Sequence, residues 1–238
     1  MATDARNPAE RVVVFIRHGH SEWNLTDRFT GWTDIPLTKA GFDEAAAAGR
    51  RLAASGHVFD EAHASVLGRT RQTVEALVAA MGVAPLPLFE NWRLNERHYG
   101  ALQGMNKKEI FAAWGEEQSR RWWRGYVDAP PALAIEDPRH PRFDARYAGL
   151  DPALLPATES LADCQRRTLP YWHEVLVPRI KAGRRLLVAS HGNTLRGLLM
   201  HFDGLDADAM MHVEVPPGVP LVYRFTPELQ AIDRQWLQ

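Results

Sequence analysis

Two histidines are each followed by glycine at the end of an apolar run, in Val12-Val13-Val14-Phe15-Ile16-Arg17-His18-Gly19 and Leu186-Leu187-Val188-Ala189-Ser190-His191-Gly192. Histidine can serve as nucleophile, proton carrier or metal ligand. Arg17 beside the first is a permanent cation with a planar fork of donors, and Arg69 lies where a helix would begin, at an end that already favours anions. Glu96, held among cations in Leu94-Asn95-Glu96-Arg97-His98-Tyr99-Gly100, is the carboxylate best placed to exchange a proton. This set suits phosphoryl transfer: a histidine attacks phosphorus, arginines and His191 neutralise the equatorial oxygens, and a carboxylate protonates the leaving oxygen. Zinc held by His18, His20 and His191 is the competing chemistry, but it leaves the arginines unexplained.

The elements that must position these groups follow from pattern and punctuation. Val12 to Ile16 reads as a strand covered on both faces, and Gly19 lets the chain turn tightly at its end, with Ser21 and Asn24 adding hydrogen-bonding groups before a helix could begin. Asp27 to Pro36 is a loop over the strand ends, and Thr38 caps an amphipathic helix, Lys39 to Ala54, stopped by Ser55-Gly56. Phe59–Ser65 and Pro85–Phe89 are shorter strands, with a helix between them ending near Gly82. Asn106 with Glu109 forms a capping box for a helix toward Trp114. Gly115 to Thr158, with its six prolines, is irregular and reads as a cap anchored by Trp122 and Trp123. Thr158 then caps a helix bent at Pro170 and ended by Pro178. A buried strand to Ser190, a helix from Thr194 to Asp203 and a last strand, Pro220 to Phe225, complete the pattern; Asp203 to Asp208 is a turn. Two buried strands ending in His-Gly meet at one edge of a parallel sheet, so the fold class is α/β, a three-layer sandwich with a mostly parallel sheet between helices.

At 238 residues, 45% hydrophobic and 24% charged, the chain can bury one large core. A net charge of -1 gives no general attraction to nucleic acid or an anionic membrane, so an anion site must be a local cluster. The lone Cys164 has no internal disulfide partner and no basic neighbour in register, and reads as an inert core thiol in a reducing compartment. Residues 1–10 are polar, read as a flexible tail, and lack the apolar core of a secretory signal; no run approaches the ~18 apolar residues of a membrane span, so a cytoplasmic setting is expected.

Arg17-His18-Gly19, Phe29-Thr30-Gly31-Trp32, Arg69, the block from Leu94 to Gly104 and His191-Gly192-Asn193 together resemble the cofactor-dependent phosphoglycerate mutases of the histidine phosphatase superfamily, over nearly the whole chain. The resemblance implies one catalytic domain over 11–238, with 115–158 as a cap or lid insertion, and a phosphoryl group carried by His18 and primed by 2,3-bisphosphoglycerate, without metal. It implies Glu96 as proton donor and acceptor, and Arg17, Arg69, Asn24 and His191 around the transferring group. Ser21, Thr30, Gly31, Arg97, Tyr99, Lys107, Arg124, Gly192 and the Asn193 backbone would hold the phosphoglycerate's carboxylate and other phosphate. The substrates are small molecules, and a homodimer is the family default. Three departures stand out: His20 occupies the usual place of a glutamate, Trp123-Arg124 replaces two adjacent arginines unless Arg121 substitutes, and the chain stops at Gln238 without a longer tail over the site. Poorer closure would admit water, so a phosphatase or bisphosphoglycerate mutase/phosphatase of the same superfamily is the alternative, and a catalytically silent phospho-ligand binder a further one.

Overall fold

Val13 to Ile16 are all buried, and successive residues enter different cores: Val13 and Phe15 one, Val14 and Ile16 the other. The strand they form, β1 (Arg11–Arg17), is therefore apolar at every position between its two terminal arginines rather than at every second one. The structure is a computed structural model that describes residues 10–238; apart from Glu10, the expected N-terminal tail lies outside the described residues. β1 pairs in parallel with β4 (Leu186–Ser190) and antiparallel with β5 (Pro220–Phe225). Outside β4 lie β2 (Glu61–Ala64) and β3 (Leu88–Glu90), both parallel, and outside β5 lies β6 (Ala231–Trp236), giving the order β3-β2-β4-β1-β5-β6.

Two helices, α2 (Lys39–Ala54) and α3 (Gly68–Ala80), cover the Val14/Ile16 face through Ala48, Leu52, Val74 and Leu77. The Val13/Phe15 face is covered by α6 (Leu161–Tyr171), its continuation through Trp172 and Leu176, and α8 (Gly192–Asp203), which contributes Leu195, Leu198 and Leu199. The architecture is thus the expected sandwich with a mostly parallel sheet. In the β1/β4 register Arg17 lies opposite Ser190, and the His18 N–H donates to the Ser190 carbonyl at 3.0 Å. Each histidine is the first residue beyond its strand, and the helices that follow leave for opposite faces. Such a parting opens a crevice at the carboxyl ends of the strands, and the candidate residues sit there.

At several local points the structure differs from the expected pattern. Glu22–Leu25 forms one helical turn, α1, with Ser21 as its N-cap, so Asn24 lies inside a helix rather than before one. Asn106 caps α4 (Lys107–Trp114) through the Lys108 N–H, but no reciprocal bond from Glu109 completes the expected box. The stretch read as irregular from Gly115 opens with a helix, α5 (Glu116–Arg124), which buries Trp122 and Ser119. Ser160, reciprocally bonded to Asp163, caps α6; Thr158 instead donates its hydroxyl to the Pro130 carbonyl. Pro178 does not end the helix: a π-turn over Trp172–Leu176 leads into α7 (Val177–Lys181), where the proline occupies the first turn and its missing N–H is harmless. β6 was not foreseen, because Ala231–Trp236 is a partly exposed edge strand with half its residues polar and no continuous apolar run.

Candidate active site

The turn after β1 is so tight that only glycine fits. A Cβ on Gly19 would lie 2.3 Å from the Gly41 carbonyl oxygen, and one on Gly41 would lie 2.2 Å from that of His20. This close packing on α2 fixes the His18 ring. Its Nδ1 is 2.7 Å from the Gly19 carbonyl, which can only accept, so Nδ1 carries the proton and Nε2 is bare. The Arg69 Nε–H donates to that Nε2 at 3.3 Å, while its Nη1 and Nη2 donate to the Thr33 and Gly31 carbonyls, each at 2.9 Å. Burial, then the charges of Arg69 and Arg17, holds His18 well below the usual histidine range. The ring is neutral at pH 7, as a nucleophile must be.

The His191 ring lies 5.0 Å from that of His18, centroid to centroid, and is fully buried. Its Nε2 meets the Ser65 hydroxyl at 2.8 Å, which meets the Thr70 hydroxyl at 2.8 Å, and Thr70 donates to the Leu67 carbonyl. Among the described residues nothing bonds Nδ1 of His191. Burial, then Arg69 and His18, keeps this ring well below the usual range too. Burial also lowers Arg17, and lowers Arg69 to about 10. Desolvated cations held so close to one another are the mark of an anion site, since a bound anion would relieve their repulsion.

Glu96 faces this group from the turn after β3. One carboxylate oxygen accepts from the Arg97 N–H at 2.8 Å and from the Asn193 N–H, at the start of α8, at 3.1 Å. The Asn193 amide N–H is therefore spent on Glu96, not free for a ligand as expected; its side chain spans Tyr99 Oη and Arg196 Nη1, each at 2.9 Å. The turn is held from behind by Arg167, which donates to the carbonyls of Trp92, Arg93, Asn95 and Glu96 and is paired with buried Glu159 at 2.7 Å. Arg167 also stands 3.4 Å from the Cys164 sulfur, a basic neighbour that the sequence reading missed; even so, burial pushes that thiol up to about 12, where it is inert.

A cleft opens over these groups, lined by Arg17, His18, Asn24, Thr30, Gly31, Arg69, Glu96, Tyr99, Lys107, Arg124, Gly192 and Asn193, all anticipated. Three anticipated residues lie behind its wall. Buried Ser21 donates its hydroxyl to Asn24 Oδ1 at 2.9 Å, Arg97 holds the carbonyls of Trp122 and Trp123, and His191 backs His18. His20 is not part of this lining: its Nδ1 is 2.6 Å from Glu44 Oε1, and among the described residues no group of three His, Cys, Asp or Glu side chains gathers as a metal site would require. Arg121 pairs with Glu117 on an exposed face and cannot replace the missing arginine. Arg28, Phe29, Trp123, Arg196, Glu214 and Val215 also line the cleft and had not been singled out as ligand contacts. Arg196 was findable, since it lies three residues beyond Asn193 on one helix face. Arg28 and Glu214 lie in irregular segments with no periodicity to mark them.

The family model described as the histidine phosphatase superfamily (branch 1) matches residues 13–142 and 132–236. A 2,3-bisphosphoglycerate-dependent phosphoglycerate mutase of Nitratidesulfovibrio vulgaris is 49% identical over 225 residues, covering 94% of this chain and 90% of that protein. Among solved structures, "Mycobacterial hydrolase 1" superposes with a TM-score of 0.71 at 20% identity, over 95% of this chain and 96% of the other. A mycobacterial glucosyl-3-phosphoglycerate phosphatase in complex with VO3 does so at 0.67 and 22%, over 90% and 92%. At such identities the two structures speak for the fold alone. The family model and the mutase together span nearly every element that builds the cleft, and the chain belongs to the histidine phosphatase superfamily.

Proposed function

We propose that this protein is a phosphoglycerate mutase, interconverting 3-phosphoglycerate and 2-phosphoglycerate in glycolysis and gluconeogenesis through a phosphohistidine at His18. The observation that carries this is the near full-length likeness to a 2,3-bisphosphoglycerate-dependent mutase, on a chain whose His18 presents a bare Nε2 beside Arg69. The residues present suit a ligand with several anionic groups. Six cations, Arg17, Arg28, Arg69, Lys107, Arg124 and Arg196, line the cleft against two carboxylates, Glu96 and Glu214. Buried nitrogens of Arg17 and Arg196 have no hydrogen-bond partner among the described residues. When bound, 2,3-bisphosphoglycerate supplies the first phosphoryl group.

His18 Nε2 forms the bond to phosphorus as the ester P–O bond breaks, and Glu96 gives the leaving oxygen its proton. In the return step Glu96 takes the proton back from the hydroxyl that attacks phospho-His18, so protons and phosphoryl groups balance over a cycle. Arg17, Arg69, Asn24 and His191 hold the transferring group. Thr30, Gly31, Tyr99, Lys107, Arg124 and Gly192 hold the rest of the substrate, with Ser21, Arg97 and Asn193 acting through their neighbours. The segment 115–158 acts as the cap within one catalytic domain over 11–238. A cytoplasmic setting is the reading that a lone cysteine supports, and a homodimer the one that the family resemblance supports. Among the described residues no helix is long and apolar enough to cross a membrane.

The test is one reaction mixture containing 3-phosphoglycerate and a chelator, with and without 2,3-bisphosphoglycerate, followed for 2-phosphoglycerate and inorganic phosphate together. Isomer formation stimulated by the bisphosphate is expected. Dominant phosphate release would favour a hydrolytic role, for which Trp123 in the cleft wall is the one supporting observation.

A further inference from the structure

Glu214 is an anion in the wall of an anion-binding cleft. It stands on the segment that joins α9 (Ala207–Met211) to β5, and its Oε1 lies 2.5 Å from Nη2 of Arg124 at the end of α5. Both residues line the cleft. The Arg124 guanidinium also stacks on the Trp123 ring, 4.4 Å from its centroid, so Glu214 claims a cation that is already fixed in place. Glu214 itself is held by what flanks it. The next residue, Val215, gives its carbonyl to Nη1 of Arg17 at 2.8 Å, and the Gly218 N–H donates to the Arg17 carbonyl at 3.0 Å. At the other end of the segment the Met210 carbonyl accepts from Arg196 Nη2 at 2.6 Å. The backbone of this strap is thus tied to two arginines of the cleft, while the Glu214 side chain is largely exposed and held by Arg124 alone among the ion pairs of the described residues.

We propose that Glu214 is a built-in competitor for the substrate's second anionic group: it occupies Arg124 in the free protein and is displaced when a ligand anchored at His18 brings a carboxylate or a second phosphate to the same cation. The inference rests on the proposed function. It makes Glu214 a specificity-determining residue. A ligand with one anionic group fills the His18 end and leaves the Arg124–Glu214 pair intact. A ligand with two must break the pair and recovers the cost only by replacing the carboxylate with a better partner, such as a bidentate oxyanion on the guanidinium fork. Glu214 thereby selects against weaker anions at the cleft mouth.

The test is calorimetric binding of 3-phosphoglycerate and of glycerol 3-phosphate, which lacks the carboxylate, at low ionic strength where an exposed pair is least screened. Four proteins are compared: the unmodified chain, Glu214→Gln, Arg124→Gln and the double variant. Glu214→Gln is expected to tighten 3-phosphoglycerate binding about two- to fivefold, the range an exposed ion pair supplies, while leaving glycerol 3-phosphate unchanged. In the Arg124→Gln background the same substitution is expected to do nothing. Equal tightening of both ligands would reduce Glu214 to a long-range charge and overturn the proposal, as would unchanged or weaker 3-phosphoglycerate binding. Failure of the unmodified protein to bind 3-phosphoglycerate would strike the proposed function itself, and the competitor role with it.

Discussion

Arg69→Lys separates charge from geometry. Lysine keeps the positive charge in the buried position, but one ammonium cannot reproduce a fork that reaches His18 Nε2, the Thr33 carbonyl and the Gly31 carbonyl at once. Two carbonyls of the loop over the site lose their donor. At roughly 1–2 kcal/mol each after relaxation, the fold should lose about 2–4 kcal/mol. For a chain of this length that lowers the Tm by roughly 4–16 °C. On the chemical side, removing one donor placed on developing charge costs about 100- to 1000-fold in kcat, or ~2.7–4 kcal/mol. The assays are thermal unfolding and steady-state conversion of 3-phosphoglycerate with saturating bisphosphate. Were kcat to stay within fivefold of the unmodified enzyme, charge alone would suffice and the fork would have no catalytic role. A kcat loss with an unmoved Tm would show that the ties to Gly31 and Thr33 carry no stability.

Three further outcomes are expected. Glu96→Gln keeps an oxygen to accept the Arg97 and Asn193 N–H groups, so the fold should persist while kcat falls by about 100- to 10,000-fold; a loss under tenfold would remove Glu96 from proton transfer. His18, His191 and His98 are buried and held below the histidine range, His98 at about 3, so near pH 6 the unfolded chain takes protons that the folded one refuses. That stability is fully present above pH ~6.5 and is lost as pH falls toward the folded values, by up to about 4 kcal/mol per pH unit for three groups; urea unfolding that is flat between pH 7.5 and 5 would refute it. His20→Gln breaks only the half-exposed pair with Glu44, so kcat and KM should stay within about fivefold; a collapse of kcat would put His20 back in the cleft.

The sequence disclosed the site better than it disclosed the elements around it. His18, Arg17, Arg69 and His191 were legible because a strand covered on both faces must be apolar, and its abrupt end in Arg-His-Gly or Ser-His-Gly marks the crevice. Ser21 and Arg97 were assigned to the ligand because residue type reveals a donor but not what it faces; the fold turns them to Asn24 and to the carbonyls of α5. The role of Arg167 was hidden for the same reason. On a helix it looks like any solvated arginine, and only the packing of α6 against the 92–96 turn makes it the support of Glu96. Glu214 was missed because it lies in a strap without period, brought to the cleft by long-range ties to Arg17. The polar edge strand β6 and the π-turn before Pro178 were set by tertiary pairing and by packing around Trp172, which no local pattern encodes.

The central claim is that His18 carries the phosphoryl group. Incubating the protein with 2,3-bisphosphoglycerate labelled on phosphorus, quenching in base and mapping the modified peptide tests it directly. One acid-labile, base-stable phosphate on His18, lost on dilution into phosphoglycerate and absent from His18→Ala, is the expected result. Full turnover with no label on His18, or label retained in the alanine variant, would contradict it.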